Sequence, residues 1–248
     1  TEMAAKAAPD GYTLLLGSSG SLTINPVFSA NVTFDPLRDF AYTSLVSAVP
    51  MILSVHPSVP ARSVKEFIAL AKARPGRLTM GSAGVGSNTH ITGELFQLVT
   101  ATQFVHVPYK GTGPALIELM GGQVDLIFDQ LSTSAPLIRN GKLRPLGVTT
   151  LKRSFLLPAV PTIDESGVRG FDASSYTGIM LPSAPPKDIV MKIYEALTDW
   201  LDQPAARESF ARLGADVIKS TPEEAARRIK DDLAKWTKVR EATGITLK

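Results

Sequence analysis

The chain contains no cysteine, which rules out disulfides, a thiol nucleophile and cysteine-ligated zinc. The lack is compatible with an oxidising compartment. No apolar run approaches the ~20 residues that a membrane helix needs. Lysine and arginine form no dense block: 26 basic residues stand against 23 acidic ones, a net charge of +3. Nucleic acid is a poor partner for such a chain. His56, His90 and His106 lie far apart and show no HExxH-type spacing, so no metal site is expected. Nor is there an internal repeat or a low-complexity tract. What remains, 44% hydrophobic and 20% charged residues over 248 positions, suits one large domain or two small ones.

A glycine-rich segment carries the most information. Gly81-Ser82-Ala83-Gly84-Val85-Gly86-Ser87-Asn88-Thr89-His90 follows the strand-like run Arg77–Met80 and opens a helix-like run ending near Leu98. A strand, a glycine turn and a helix start place backbone N–H groups and a positive dipole end at one point, which suits an anion. Many such turns bind nothing. Nucleotide readings fail: the loop ends without the lysine of a P-loop. A dinucleotide fingerprint would need an acidic residue where His106-Val107-Pro108-Tyr109 stands.

Along the chain, Thr1–Pro9 reads as the tail of a helix, with no signal peptide. Tyr12–Leu16 reads as a buried strand and Gly17–Ser21 as a polar loop, with turns at Asn25-Pro26 and Asp35-Pro36. Tyr42–Val55 reads as a broken pair of strands. Ser63 and Glu66 form a capping box for a helix reaching Arg74. Strands at Leu78–Met80, Phe104–Val107 and Val124–Phe128 then alternate with helices at Ser87–Val99, Pro114–Met120 and Ala135–Arg139; Leu143–Thr149 is a further strand. The alternation predicts an α/β fold with a mainly parallel sheet and ligands at its carboxyl edge. A proline-rich stretch, 158–186, contains a strand at Ser174–Leu181. The C-terminal part is helical: Lys187–Leu201 with the stripe Ile189, Ile193, Leu197 and Trp200, then Ala205–Leu213, then a helix capped by Thr221-Pro222-Glu223-Glu224 that carries Trp236. Both tryptophans are expected in a core.

At the glycine loop, Ser82, Ala83, Gly84, Gly86, Ser87 and Asn88 offer N–H groups and two hydroxyls to a carboxylate. His90 either touches ligand or is structural. Tyr109, Lys110, Gly111 and Thr112 form the next strand-end loop, where Lys110 either pairs with a second carboxylate or is solvated. Asp129 either selects an amino group on the ligand or caps the following helix.

The order of segments resembles the Bug or TctC family, the extracytoplasmic solute receptors of tripartite tricarboxylate transporters. The resemblance rests on Asp10-Gly11-Tyr12-Thr13-Leu14, Asn25-Pro26, Asp39-Phe40, the glycine loop with His90, Val107-Pro108-Tyr109-Lys110-Gly111 with Gly113-Pro114, and Gly121-Gly122-Gln123-Val124-Asp125. It continues through Gly141-Lys142-Leu143-Arg144, Val148-Thr149, Pro158-x-Val160-Pro161-Thr162, Glu165-x-Gly167, Gly178, Pro182 and Pro186.

The resemblance implies a type II-like, two-lobe periplasmic binding protein, each lobe a mainly parallel sheet flanked by helices, with the ligand in a cleft between them. Lobe 1 would comprise 1–52 with 179–248, and lobe 2 would comprise 53–178. A small organic acid would be captured and delivered to membrane permease subunits by a monomer with no cofactor and no catalysis. Ser18 and Ser19 would face the cleft from lobe 1, and Tyr176 would be a hinge or cleft wall. The family pattern has a further strand–helix unit before Asp10, so lobe 1 is expected to expose apolar surface or to recruit a replacement. Two other readings stay open. One is a cytoplasmic effector-sensing module. The other is a hydrolase using Ser87 and His90, although no nucleophile elbow is present.

Overall fold

Pro50 has no N–H to give a sheet ladder, and the long apolar run around it breaks there into two strands. A computed structural model describes residues 1–246. In chain order the elements are α1 (Glu2–Ala5), β1 (Leu15–Ser18), α2 (Asn25–Phe28), β2 (Phe40–Val49), β3 (Met51–Val55), α3 (Val64–Ala73), β4 (Leu78–Ser82), α4 (Asn88–Thr100) and β5 (Phe104–Pro108). There follow α5 (Thr112–Met120), β6 (Leu126–Gln130), α6 (Leu131–Arg139), β7 (Arg144–Val148), β8 (Ser175–Pro182), α7 (Lys187–Leu201), α8 (Pro204–Arg212), β9 (Asp216–Val217) and α9 (Pro222–Thr243). The chain forms an α/β fold of two compact units, 1–48 with 175–248 and 49–174. Each boundary lies four residues before the position anticipated from sequence.

The unit of residues 49–174 carries a five-stranded sheet in the order β5-β4-β6-β3-β7. β4 runs parallel to both β5 and β6, whereas β3 runs antiparallel to both β6 and β7. The sheet is therefore mixed rather than mainly parallel, because β3 enters from β2 against the direction of the strands that follow. Every β3 residue is buried, as a two-sided central strand requires.

Helices cover both faces of this sheet. Gly93 of α4 lies so close to β4 that a Cβ there would fall 2.1 Å from the Met80 sulfur. On the other face, Ala115 and Leu116 of α5 pack with Val124 and Ile127. Successive strand residues point to opposite faces, so Met80 meets α4 while Gly81 lies against Ala115. The chain moves outward from β4 to β5 through α4, then back past β4 to β6 through α5. The reversal between β4 and β6 is a topological switch point, and α/β sheets open a crevice at its carboxyl end.

The unit of 1–48 with 175–248 has the sheet order β1-β8-β2-β9, with β1 antiparallel to β8 and β2 antiparallel to β9. Its core gathers Leu22, Phe40, Tyr42, Leu45, Tyr176 and Met180 under Ala225 and Ile229 of α9. α9 begins with the anticipated capping box, in which the Thr221 side chain and the Glu224 side chain each accept from the other's backbone N–H.

Several local expectations are corrected here. The strand begins at Leu15, after a turn in which Asp10 Oδ1 accepts from the Tyr12 N–H. Tyr12 lies in that turn and is 93% exposed, and Leu16, on the edge strand β1, is 64% exposed rather than buried. Beyond it a π-helical turn, Gly20–Ile24, runs directly into α2. Pro26 lies in the first turn of α2, so Asn25-Pro26 is helical instead of a turn. α7 has the anticipated bounds, but Leu201 is its only buried residue, and Trp200 is 43% exposed against Phe210. α6 starts at Leu131, directly after β6, and continues through Pro136. Ser63 caps α3 as expected, yet Glu66 reaches past it to the Arg62 N–H at 2.7 Å.

Candidate functional site

Three helices begin at the carboxyl edge of the sheet of residues 49–174: α4 after β4, α5 after β5 and α6 after β6. Their positive dipole ends open on that edge. The Tyr109 N–H donates to the Ser82 carbonyl at 3.0 Å, which carries the β4–β5 ladder one step into the loops. Gly84 has a φ of 122° and Gly86 of 76°, backbone that favours glycine. A Cβ on Gly84 would lie 3.3 Å from the Tyr109 carbonyl oxygen, so the two loops fit closely because the residue is glycine.

The loop uses most of its own donors. The Ala83 N–H donates to Thr89 Oγ1 at 2.8 Å, the Gly84 N–H to Ser82 Oγ at 3.1 Å and the Gly86 N–H to His90 Nδ1 at 3.0 Å. Ser87 caps α4 by accepting from the His90 N–H, and its hydroxyl donates to the Gly84 carbonyl at 2.7 Å. The Ser82 hydroxyl lies between the Gly84 carbonyl at 3.2 Å and His106 Nε2 at 2.6 Å. The serine hydroxyls expected to face a ligand are thus employed inside the loop. Among the described residues, the N–H groups of Val85, Asn88 and Thr89 meet no protein acceptor, and these three remain for an anion at the start of α4.

Beneath the loop, the rings of His90 and His106 stack with centroids 3.7 Å apart and planes 10° apart. His90 Nε2 faces Glu94 Oε1 at 3.4 Å. Burial above all, then the neighbouring His90, lowers the His106 pKa to about 4, with Glu94 opposing.

Asp129, the penultimate residue of β6, lies two residues beyond the Gly81–Ile127 pair and is buried. It accepts from the Ser134 hydroxyl at 2.9 Å, which ties it to the first turns of α6, while Gln130 occupies the N-cap position. Burial raises its pKa, and the bonds from Ser134 and from the Gln130 N–H pull in the opposite direction. Lys110 is exposed and forms no ion pair among the described residues, and Gly111 (φ 123°) is the N-cap of α5, directly before Thr112. One edge therefore gathers Ser82–Asn88, His90, Tyr109–Thr112 and Asp129.

Ser18, Ser19 and Tyr176 belong to the other unit. Ser18 exchanges bonds with Ser21, and Ser19 Oγ lies 3.4 Å from Ser175 Oγ. Tyr176 is a core residue, 1% exposed, with the Arg228 guanidinium 5.0 Å from its ring centre. Its side chain packs inward because β8 is the second strand of its sheet and α9 covers that face.

The sequence reading missed Thr89, His106 and Ser134. His106 carried a signal: it shares a strand face with Phe104, which packs on Phe67 and Phe96, so a histidine there is inward-facing and needs a partner. The Ser87 hydroxyl and His90 Nδ1, the pair a hydrolase would use, are engaged within the loop: Ser87 Oγ donates to the Gly84 carbonyl and His90 Nδ1 accepts from the Gly86 N–H. Among the described residues no cluster is fit to hold a metal ion, and no helix is long and apolar enough to cross a membrane.

Residues 1–245 match the family model of the tripartite tricarboxylate transporter family receptor. Protein BugT of Bordetella pertussis is 35% identical over 249 residues, covering 100% of this chain and 76% of that protein. The structure of R. palustris Rpa4515 with adipate is 34% identical with a TM-score of 0.74, covering 98% of this chain and 82% of the other. MatC (Rpa3494) from Rhodopseudomonas palustris with bound malate is 30% identical with a TM-score of 0.69, covering 96% of this chain and 82% of the other.

Proposed function

Because the chain belongs to the tripartite tricarboxylate transporter receptor family, we propose that it is a periplasmic receptor that captures a small organic acid and hands it to the permease subunits of such a transporter. The family is one of solute-binding receptors rather than enzymes. The relatives crystallised with adipate and malate support a carboxylate ligand. In this reading the protein acts as a monomer.

The observation that carries the reading is the set of unspent N–H groups of Val85, Asn88 and Thr89 at the start of α4. They sit where the sheet reverses its strand order, beside the starts of α5 and α6. Neutral donors and helix dipoles attract a carboxylate without the desolvation that a buried ion pair entails, which suits reversible capture. Lys110, exposed at the same edge, supplies a counter-charge for a second carboxylate. Asp129 biases the site against acids that place a carboxylate beside it and toward those carrying an ammonium there.

A thermal-shift screen with adipate, malate and aspartate, against chloride and sulfate controls, tests this. Ligand at a hundred times its dissociation constant adds about 2.7 kcal/mol and raises the melting temperature by about 5–10 °C at this size. A flat response to every acid beside a cooperative melt would overturn the carboxylate reading for this chain.

A further inference from the structure

The stacked imidazoles under the glycine loop are a titratable cluster that carboxylate capture does not use. His90 Nδ1 accepts from the Gly86 N–H at 3.0 Å, so that nitrogen bears no proton, and the ring's proton lies on Nε2 toward Glu94. A second proton has one place to go, Nδ1, where it meets the Gly86 N–H donor head on. The bond is then lost and two donors face each other. Gly86 sits at φ 76° in a tight turn, and that bond is its tie to α4.

We propose that protonation of His90 opens the glycine loop, making the loop a built-in acid-sensitive element. Two stacked rings 3.7 Å apart hold one charge far more readily than two. The Glu94 carboxylate lies 3.4 Å from His90 Nε2, while His106 Nε2 is bound to the Ser82 hydroxyl at 2.6 Å. The remaining surroundings carry little that competes. β4 has no titratable side chain, and Asp129 on β6 is engaged by Ser134. α3 meets α4 through Phe67 and Phe96 and leaves Lys65, Glu66 and Lys72 exposed. Lys110, beyond β5, is exposed as well.

The test uses the ligand-free chain, so it stands or falls apart from the carboxylate reading. Imidazole ¹⁵N spectra at about pH 7.5 should show His90 neutral with its proton on Nε2. Hydrogen-exchange protection of the Gly86 amide, corrected for the intrinsic pH dependence of exchange, should fall about tenfold or more between about pH 7.5 and about pH 5. In His90→Asn, whose Oδ1 stands in for Nδ1 and does not titrate, protection should stay flat. A charged His90 or a proton on Nδ1 at about pH 7.5, or constant wild-type protection down to about pH 5, overturns the proposal. Glu94→Gln serves where His90→Asn fails to fold: the loss should move to lower pH, and an unmoved midpoint counts against the proposal.

Discussion

Asp125 and Thr79 hold each other in both directions across the sheet. Asp125 Oδ2 accepts from the Thr79 N–H at 2.7 Å and from the Thr79 hydroxyl at 2.9 Å, and the Asp125 N–H donates back to the Thr79 carbonyl at 2.9 Å. The clasp joins β4 to the turn before β6, the two strands whose ends carry the glycine loop and Asp129. The motif Gly121–Asp125 is thus a scaffold for the site and not a part of it. Asp125→Ala removes two bonds to a charged acceptor in a partly buried place, and should lower unfolding stability by about 2–3 kcal/mol in urea melts. A loss under about 0.5 kcal/mol would show that the clasp is replaceable by water.

Ser87 stabilises the start of α4 and shapes the loop at once, so its variants should separate the two roles. Ser87→Ala loses the acceptor for the His90 N–H and the donor to the Gly84 carbonyl, and should cost about 1–2 kcal/mol. Ser87→Asp restores the cap acceptor and should recover much of that stability. Its carboxylate also occupies the positive end of the helix, so any thermal shift by adipate or malate should vanish. A variant as stable as wild type that still responds to acids would move the anion site away from α4.

His106 makes the molecule less stable in acid. Its folded pKa is lowered from 6.5 to about 4. Between those values the unfolded chain binds a proton that the folded one refuses, so stability falls as pH drops through this window. Urea midpoints should decline from about pH 6.5 toward about pH 4, and His106→Asn should flatten part of that decline. An unchanged slope in the variant would assign the acid sensitivity elsewhere.

The strand–helix alternation of residues 78–148 and the bounds of α7 were legible, because apolar periodicity and caps are local properties of the chain. Burial was less legible. The stripe Ile189, Ile193, Leu197 and Trp200 has helical spacing, yet periodicity shows which face is apolar and not whether another element covers it. The loop's chemistry was half legible. Glycine, serine and a helix start marked an anion-friendly place, but Ala83, Gly84 and Gly86 donate to Thr89, Ser82 and His90. Those pairings follow from where φ turns positive at Gly84 and Gly86, which residue type permits without specifying. Tyr176 illustrates the same limit, since its place in the core depends on α9, far along the chain.

The two tryptophans should report the difference in burial directly. Trp236→Phe leaves Trp200, 43% exposed, as the sole tryptophan; Trp200→Phe leaves Trp236, 4% exposed. The first variant should emit further to the red and be quenched more strongly by acrylamide. Equal quenching would mean that α7 is covered in solution.

Asp129 should give stability the opposite pH trend from His106. Burial is the larger influence and raises its pKa above the ordinary 3.8, against the bonds from Ser134 and the Gln130 N–H. Just above 3.8 the folded state keeps a proton that the unfolded chain has released. The contribution of Asp129 to stability is therefore fully present below that value and is lost as pH rises through the folded one. Asp129→Asn keeps the size and an acceptor for Ser134 but does not titrate. Its stability relative to wild type should climb between about pH 4 and pH 7. A relative stability that falls over that range would mean that the hydrogen bonds outweigh burial and that Asp129 is held as an anion. The same variant tests selectivity: if the carboxylate receives a ligand ammonium, Asp129→Asn loses any thermal shift by aspartate while keeping a response to adipate or malate. Loss of both together would instead make Asp129 a support for the loops, acting through Ser134 and α6.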